Sequence, residues 1–133
     1  KENKSLMGAY ELNITSHDNK VTLVASGSEV ELALSTQNQL LDAGINSKVV
    51  SMPCQELFDQ QSDEYKNKIL EPNNLIVSIE AGSVMCWYKY LKKNDIAFGI
   101  DKFGASAPHN DIFDKMGLTS TKIVSIIQKK LRD

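Results

Sequence analysis

Three loops carry the residue types that could do chemistry. Ser26-Gly27-Ser28-Glu29 follows an apolar run, and at the start of a helix its exposed backbone N–H groups could hold an anion. The same letters also spell a capping box, Ser28-Glu29-Val30-Glu31, in which the Ser28 hydroxyl and the Glu31 carboxylate satisfy the helix's own first-turn donors. Glu29 and Glu31 would repel a phosphate, so self-capping is the favoured reading. A small-anion or nucleotide-sensing site at Ser26, Gly27 and Ser28 is the alternative. In the second loop, Glu80-Ala81-Gly82-Ser83, the carboxylate of Glu80 ends another apolar run. Desolvation there could raise its pKa and make it an acid, but pairing with the next helix or across an interface is the favoured role. The third loop, Phe103-Gly104-Ala105-Ser106-Ala107-Pro108, precedes His109. Small residues beside an aromatic and a proline suit close packing on another surface. His109 has no nucleophile near it in sequence and reads as a packing residue rather than a base.

Other candidates dissolve on inspection. Ser16, His17 and Asp18 are consecutive, and a triad needs its members brought from separate elements with facing side chains. Cys54 and Cys86, with His17 and His109, show no metal-ligand spacing, so no metal is expected in this chain. The two thiols read as reduced and half-buried in a cytoplasmic protein. Trp87 and Tyr88 fall on a helical stripe with Val84 and Leu91 and are read as core, whereas Tyr90 lies off that stripe. No catalytic and no cofactor-binding residue is assigned.

The elements that must position these loops alternate between strand and helix. Ala9–Ile14 suits a short strand, closed by the turn-prone His17-Asp18-Asn19. Val21–Ala25 (VTLVA), Lys48–Met52 (KVVSM), Leu75–Ile79 (LIVSI) and Ile96–Ile100 read as strands, the continuous apolar runs among them as strands buried on both faces. Helices are expected over 29–43, ending at Gly44, from 84 through the aromatic stripe, and from about Thr119 to the end. Shorter ones are expected at 55–58, 64–70 and 111–116. Ile123, Ile126, Ile127 and Leu131 line the last helix, whose final-turn Lys129, Lys130 and Arg132 complement its dipole. Alternation of this kind implies an α/β fold in three layers, a mostly parallel sheet covered on both faces.

Composition removes several function classes. The 133 residues suffice for one domain, with 41% hydrophobic and 24% charged residues, an ordinary globular mixture. Fifteen basic against 17 acidic residues give a net charge of −2 without a basic cluster, which excludes a phosphate-gripping nucleic-acid surface. No apolar run reaches the ~20 residues of a membrane span. Residues 1–7 read as a linker or a cut end, and residues 8–133 as the domain. The opening Lys1-Glu2-Asn3-Lys4 lacks an initiator Met, which fits a piece of something longer.

Taken together, ASGSEVELA (25–33), VVSMP (49–53), Glu80-Ala81-Gly82, WYKY (87–90) and FGASAP (103–108) resemble, in order and spacing, the C-terminal domain of transketolases. The likeness runs from about Gly8 to Leu131. It implies a mixed, mostly parallel five-stranded sheet and a parent homodimer that moves two-carbon ketol units between sugar phosphates in the pentose phosphate pathway. In that family thiamine diphosphate and a divalent metal (Mg or Ca) are held by the two preceding domains, and the C-terminal domain is architectural. Glu80, Tyr90, Phe103, Ser106, Pro108 and His109 are the residues expected to pack against those domains or the second subunit.

Overall fold

Because Val21–Ala25 (β2) is buried along its whole length, it must lie inside a sheet, and it does. A computed structural model describes residues 4–80, 84–99, 111–112 and 119–132. On one side β2 pairs in parallel with β3 (Ser47–Ser51), which pairs antiparallel with the edge strand β1 (Tyr10–Ile14). On its other side come β4 (Leu75–Glu80), β5 (Ile96–Gly99) and a two-residue β6 (Asp111–Ile112), all parallel. The sheet order is β1-β3-β2-β4-β5-β6. The mixed five-stranded sheet is thus present, extended at one edge by β6.

Alternation along the strands sends side chains to two cores. Leu23, Val49, Val77 and Phe98 face α1 (Glu29–Asp42) and α4 (Ser120–Arg132), which contribute Ala33, Leu40, Ile123 and Ile127. Val24, Val50 and Ile76 face the opposite layer. There α2 (Gln55–Asp59), α3 (Asp63–Leu70) and a 3-10 helix over Val84–Tyr90 contribute Phe58, Ile69, Leu70 and Trp87. The α1 C-terminus closes as a Schellman motif: Gly44 stands at φ +82°, its N–H reaches Leu41 O at 2.9 Å, and Ile45 N–H reaches Leu40 O at 2.8 Å.

Several expectations are corrected. The segment over Val84–Tyr90 is 3-10 rather than α-helical. With three residues per turn, positions three apart eclipse, so Trp87 and Tyr90 share the inner face and Tyr88 turns outward. Asp111–Ile112 is strand, not helix, aligned with Ala97 and Phe98 of β5; residues 113–116 lie outside the described residues. Helical spacing predicts an apolar stripe of Val30, Ala33, Leu34, Leu40 and Leu41 on α1, yet Leu41 is exposed while Thr36 and Gln37 are buried. Gln37 is accommodated because its amide donates to Ser47 O at 3.1 Å and accepts from the Asn13 side chain at 2.9 Å. Cys86 is exposed rather than half-buried.

Candidate functional site

The connections fix where a site could form. β2 continues through α1 to β3 on one side, whereas β4 continues to β5 on the other, so the chain parts at the C-terminal ends of β2 and β4. In open α/β sheets this crevice is where ligands bind. Ala25 of β2 aligns with Ile79 of β4, which brings Ser26, Gly27 and Ser28 beside Glu80. The start of the first loop and the Glu80 end of β4 are therefore neighbours.

Ser26–Ser28 are used within the fold. Ser26 O accepts from Glu29 N–H and Gly27 O from Val30 N–H, each at 3.2 Å, so two of the first-turn donors an anion would need are engaged. Gly27 turns the chain at φ +59°. The capping box does not form. Ser28 has helical backbone angles (φ −68°, ψ −20°), makes no side-chain cap bond, and donates its hydroxyl to Glu29 Oε2 at 2.9 Å. A capping serine needs extended backbone to swing its oxygen over the first turn. Ser62 has it, with ψ +156°, and accepts from Tyr65 N–H at 3.1 Å.

Glu80 and Tyr90 belong to one network between β4, α2 and the 3-10 helix. The Trp87 indole N–H donates to Glu80 Oε1 at 2.7 Å. The Tyr90 hydroxyl donates to Asp59 Oδ1 at 2.7 Å, and Lys89 Nζ binds Asp59 Oδ2 at 2.6 Å. Phe58 meets Tyr90 edge-on at 5.8 Å between centroids and Tyr65 at 6.4 Å. Slight desolvation opposes the Asp59 charge, but the bonds from Lys89 and Tyr90 and the Lys89 charge outweigh it, holding Asp59 below the usual carboxylate range. Burial, then the adjacent Asp59 carboxylate, push the Tyr90 phenol well above its ordinary value. Partial desolvation, then the Glu80 charge, push the Cys86 thiol up, away from the thiolate a nucleophile needs. Trp87, Tyr90 and Asp59 together clamp the 3-10 helix to α2.

Sequence reasoning passed over a deeply buried cation. Lys48, on the second face of β3, has a side chain only 1% exposed. Its ammonium donates to Glu71 Oε2 at 2.7 Å and Lys68 O at 3.1 Å, and Glu11 Oε1 lies at 3.4 Å. A lysine next to Val49 and Val50 in a strand was the available signal; its partners come from β1 and the end of α3. Asp95, 2% exposed, was also missed. It accepts from Ile76 N–H at 3.0 Å and Lys92 N–H at 2.7 Å, and pairs with the Lys92 ammonium at 2.9 Å. Each of these groups is satisfied internally, as a structural ion pair must be.

Phe103, Ser106, Pro108 and His109 lie outside the described residues. Among the described residues no three His, Cys, Asp or Glu side chains converge to hold a metal, and no helix is long and apolar enough to cross a membrane. What this geometry does is brace elements against one another.

Comparison with known proteins agrees with the motif pattern. The family model of the transketolase-like C-terminal domain matches residues 8–119. The Streptococcus pyogenes transketolase is 47% identical over 113 residues, covering 84% of this chain and 16% of that protein. The Buchnera aphidicola transketolase is 42% identical over 127 residues, covering 91% of this chain and 19% of that protein. Among solved structures, the Pichia stipitis transketolase in complex with sedoheptulose-7-phosphate superposes with a TM-score of 0.79 at 35% identity, over 97% of this chain and 18% of that one. The Campylobacter jejuni transketolase gives 0.74 at 38% identity, over 92% and 18%. The chain spans less than a fifth of the length of the curated relatives it matches. With its parallel sheet, its antiparallel edge strand and its motifs in order, this chain belongs to the transketolase C-terminal domain family.

Proposed function

We propose that this chain serves as the architectural C-terminal domain of a thiamine-diphosphate-dependent transketolase. In this reading the parent is a cytoplasmic homodimer transferring two-carbon ketol units between sugar phosphates. The observation that carries the reading is the family match over residues 8–119, on a chain less than a fifth as long as its relatives. Internal bonding of Glu80, Tyr90 and Asp59 supports a bracing role rather than a catalytic one. As the family resemblance implies, the residues holding the divalent metal and thiamine diphosphate belong in this reading to the preceding domains. Solved relatives from Pichia stipitis are complexes with sedoheptulose-7-phosphate and fructose-6-phosphate, which supports sugar phosphates as the parent's substrates. Cys54 and Cys86 are not joined in a disulfide, which suits a reducing compartment. In this reading Glu80, Tyr90, Phe103, Ser106, Pro108 and His109 pack against the preceding domains or the second subunit.

An immunoblot of the source lysate with antibody to this chain tests the reading. A band several times larger than 14.8 kDa is expected. A single band at 14.8 kDa would refute it.

A further inference from the structure

We propose that the α2 face of the domain, marked by Leu6 and Leu57, is its inner face. In the parent it is covered by the polypeptide that precedes this chain, while the α1/α4 face stays in solvent. The inference rests on the reading of the chain as a C-terminal domain and adds which surface the remainder of the enzyme occupies.

The first observation is how the lead-in segment is held. Gly8 stands at φ +87° with its ideal Cβ position 2.2 Å from Phe58 N and 2.8 Å from Leu57 C. Its carbonyl accepts from Cys54 N–H at 3.1 Å. Gly8 is therefore pressed onto the first turn of α2 with no room for a side chain. Two residues of chain reach at most about 7 Å, so Leu6 is kept on the same surface as Leu57. Both are exposed, Leu6 at 66% and Leu57 at 36%, with the exposed polar Glu56 and Asp59 beside Leu57. Apolar side chains rimmed by polar ones mark a surface that something covers.

The second observation says what covers it. The chain accounts for 16–19% of the length of its relatives, and a C-terminal domain has its missing polypeptide upstream. That polypeptide joins the domain at the Lys4–Met7 turn, which contacts α2. It reaches the Leu6–Leu57 surface first. The opposite face also carries two exposed leucines, Leu41 and Leu131, among exposed polar positions such as Lys122, Ser125, Lys129 and Arg132 of α4 and Glu31 and Asn38 of α1, but neither lies where the upstream chain enters.

Carbene footprinting of the unmodified full-length polypeptide, read by mass spectrometry at single residues, tests this. A leucine in the fully buried class, at least ~95% covered, should label about sevenfold less than one at the 36% exposure Leu57 has in this chain. The expected result is that drop at Leu57 and about a thirteenfold one at Leu6, which starts at 66% exposure, with Leu41 and Leu131 unchanged. A photo-cross-linker at Leu57 of the full-length polypeptide then identifies the cover, isotope mixing separating contacts within one chain from those between subunits. Capture of an upstream peptide of the same chain supports the proposal. Full labelling of Leu57, capture of residues 100–118 only, or capture of the second subunit overturns it. A natural polypeptide no longer than this chain would instead refute the reading beneath it.

Discussion

Gly8→Ala should be among the most damaging single-methyl additions in this domain, and its cost can be worked from the structure. A left-handed φ of +87° costs a residue with a Cβ about 1 kcal/mol. The new methyl would also stand 2.2, 2.5 and 2.8 Å from Phe58 N, Cys54 O and Leu57 C, all backbone atoms that cannot rotate away. Relief requires the lead-in segment to lift from α2, which breaks the Cys54 N–H to Gly8 O bond, worth about 1 kcal/mol net. Opening the packing over the Phe58 turn adds a further ~1 kcal/mol, for a total of about 3 kcal/mol. Gly44→Ala is the control. Its φ is +82°, nearly the same, but nothing lies within 4 Å of its Cβ position, so it should cost only the conformational ~1 kcal/mol. The stiffening of the unfolded chain by alanine is common to both variants and cancels. Urea unfolding of the two variants should differ by about 2 kcal/mol, roughly 6–8 °C in Tm for a chain of this size. Equal stabilities would refute the close contact of Gly8 with α2.

Three further perturbations test the packing account. Lys48→Ala should cost about 3 kcal/mol or more, since it leaves a cavity and frees Glu71 and Lys68 O of their buried partner. Lys48→Met, which keeps the volume, should recover at least ~1 kcal/mol of that in equilibrium unfolding, and identical costs would count against it. Ser62→Ala should lose about 1 kcal/mol while Ser28→Ala loses less than about 0.5 kcal/mol, because only Ser62 accepts a capping bond; the reverse order in urea melts would contradict the geometry. Asp59 is lowered from its ordinary 3.8 in the folded state, so its contribution is full above pH 3.8 and is lost as pH falls through the folded pKa. The stability gap between the native chain and Asp59→Asn should therefore be constant near neutrality and close under acid; a gap that widens on acidification would show the sign is wrong.

The strands were legible because burial on both faces leaves continuous apolar runs, and β2 and β4 fall where VTLVA and LIVSI stand. Gly44 was legible because a left-handed residue after a helix is a local demand. What sequence could not show was set by tertiary geometry. The periodicity of Val84, Trp87, Tyr88 and Leu91 fits an α-helix, yet the backbone winds as 3-10, exchanging Tyr88 for Tyr90 on the inner face. The Ser28-x-x-Glu31 letters fit a capping box, but the turns closing onto Ser26 and Gly27 put Ser28 in helical angles, out of capping position. The burial of Lys48 and Asp95 was missed because Glu71, which pairs with Lys48, and the Ile76 N–H, which donates to Asp95, lie far off in sequence; the Lys92–Asp95 pair alone gives no sign of burial. The resemblance identified the family, and the internal bonding of Glu80 and Tyr90 indicates why no active site could be read from them.

The central claim is that the chemistry of the parent enzyme lies outside this domain. Its most direct test is ketol transfer from xylulose-5-phosphate with thiamine diphosphate and Mg²⁺, measured for the full-length polypeptide and for this 133-residue chain side by side. The account predicts turnover by the full-length polypeptide and none by the chain alone. Cofactor-dependent turnover by the chain, or an inactive full-length polypeptide, would contradict it.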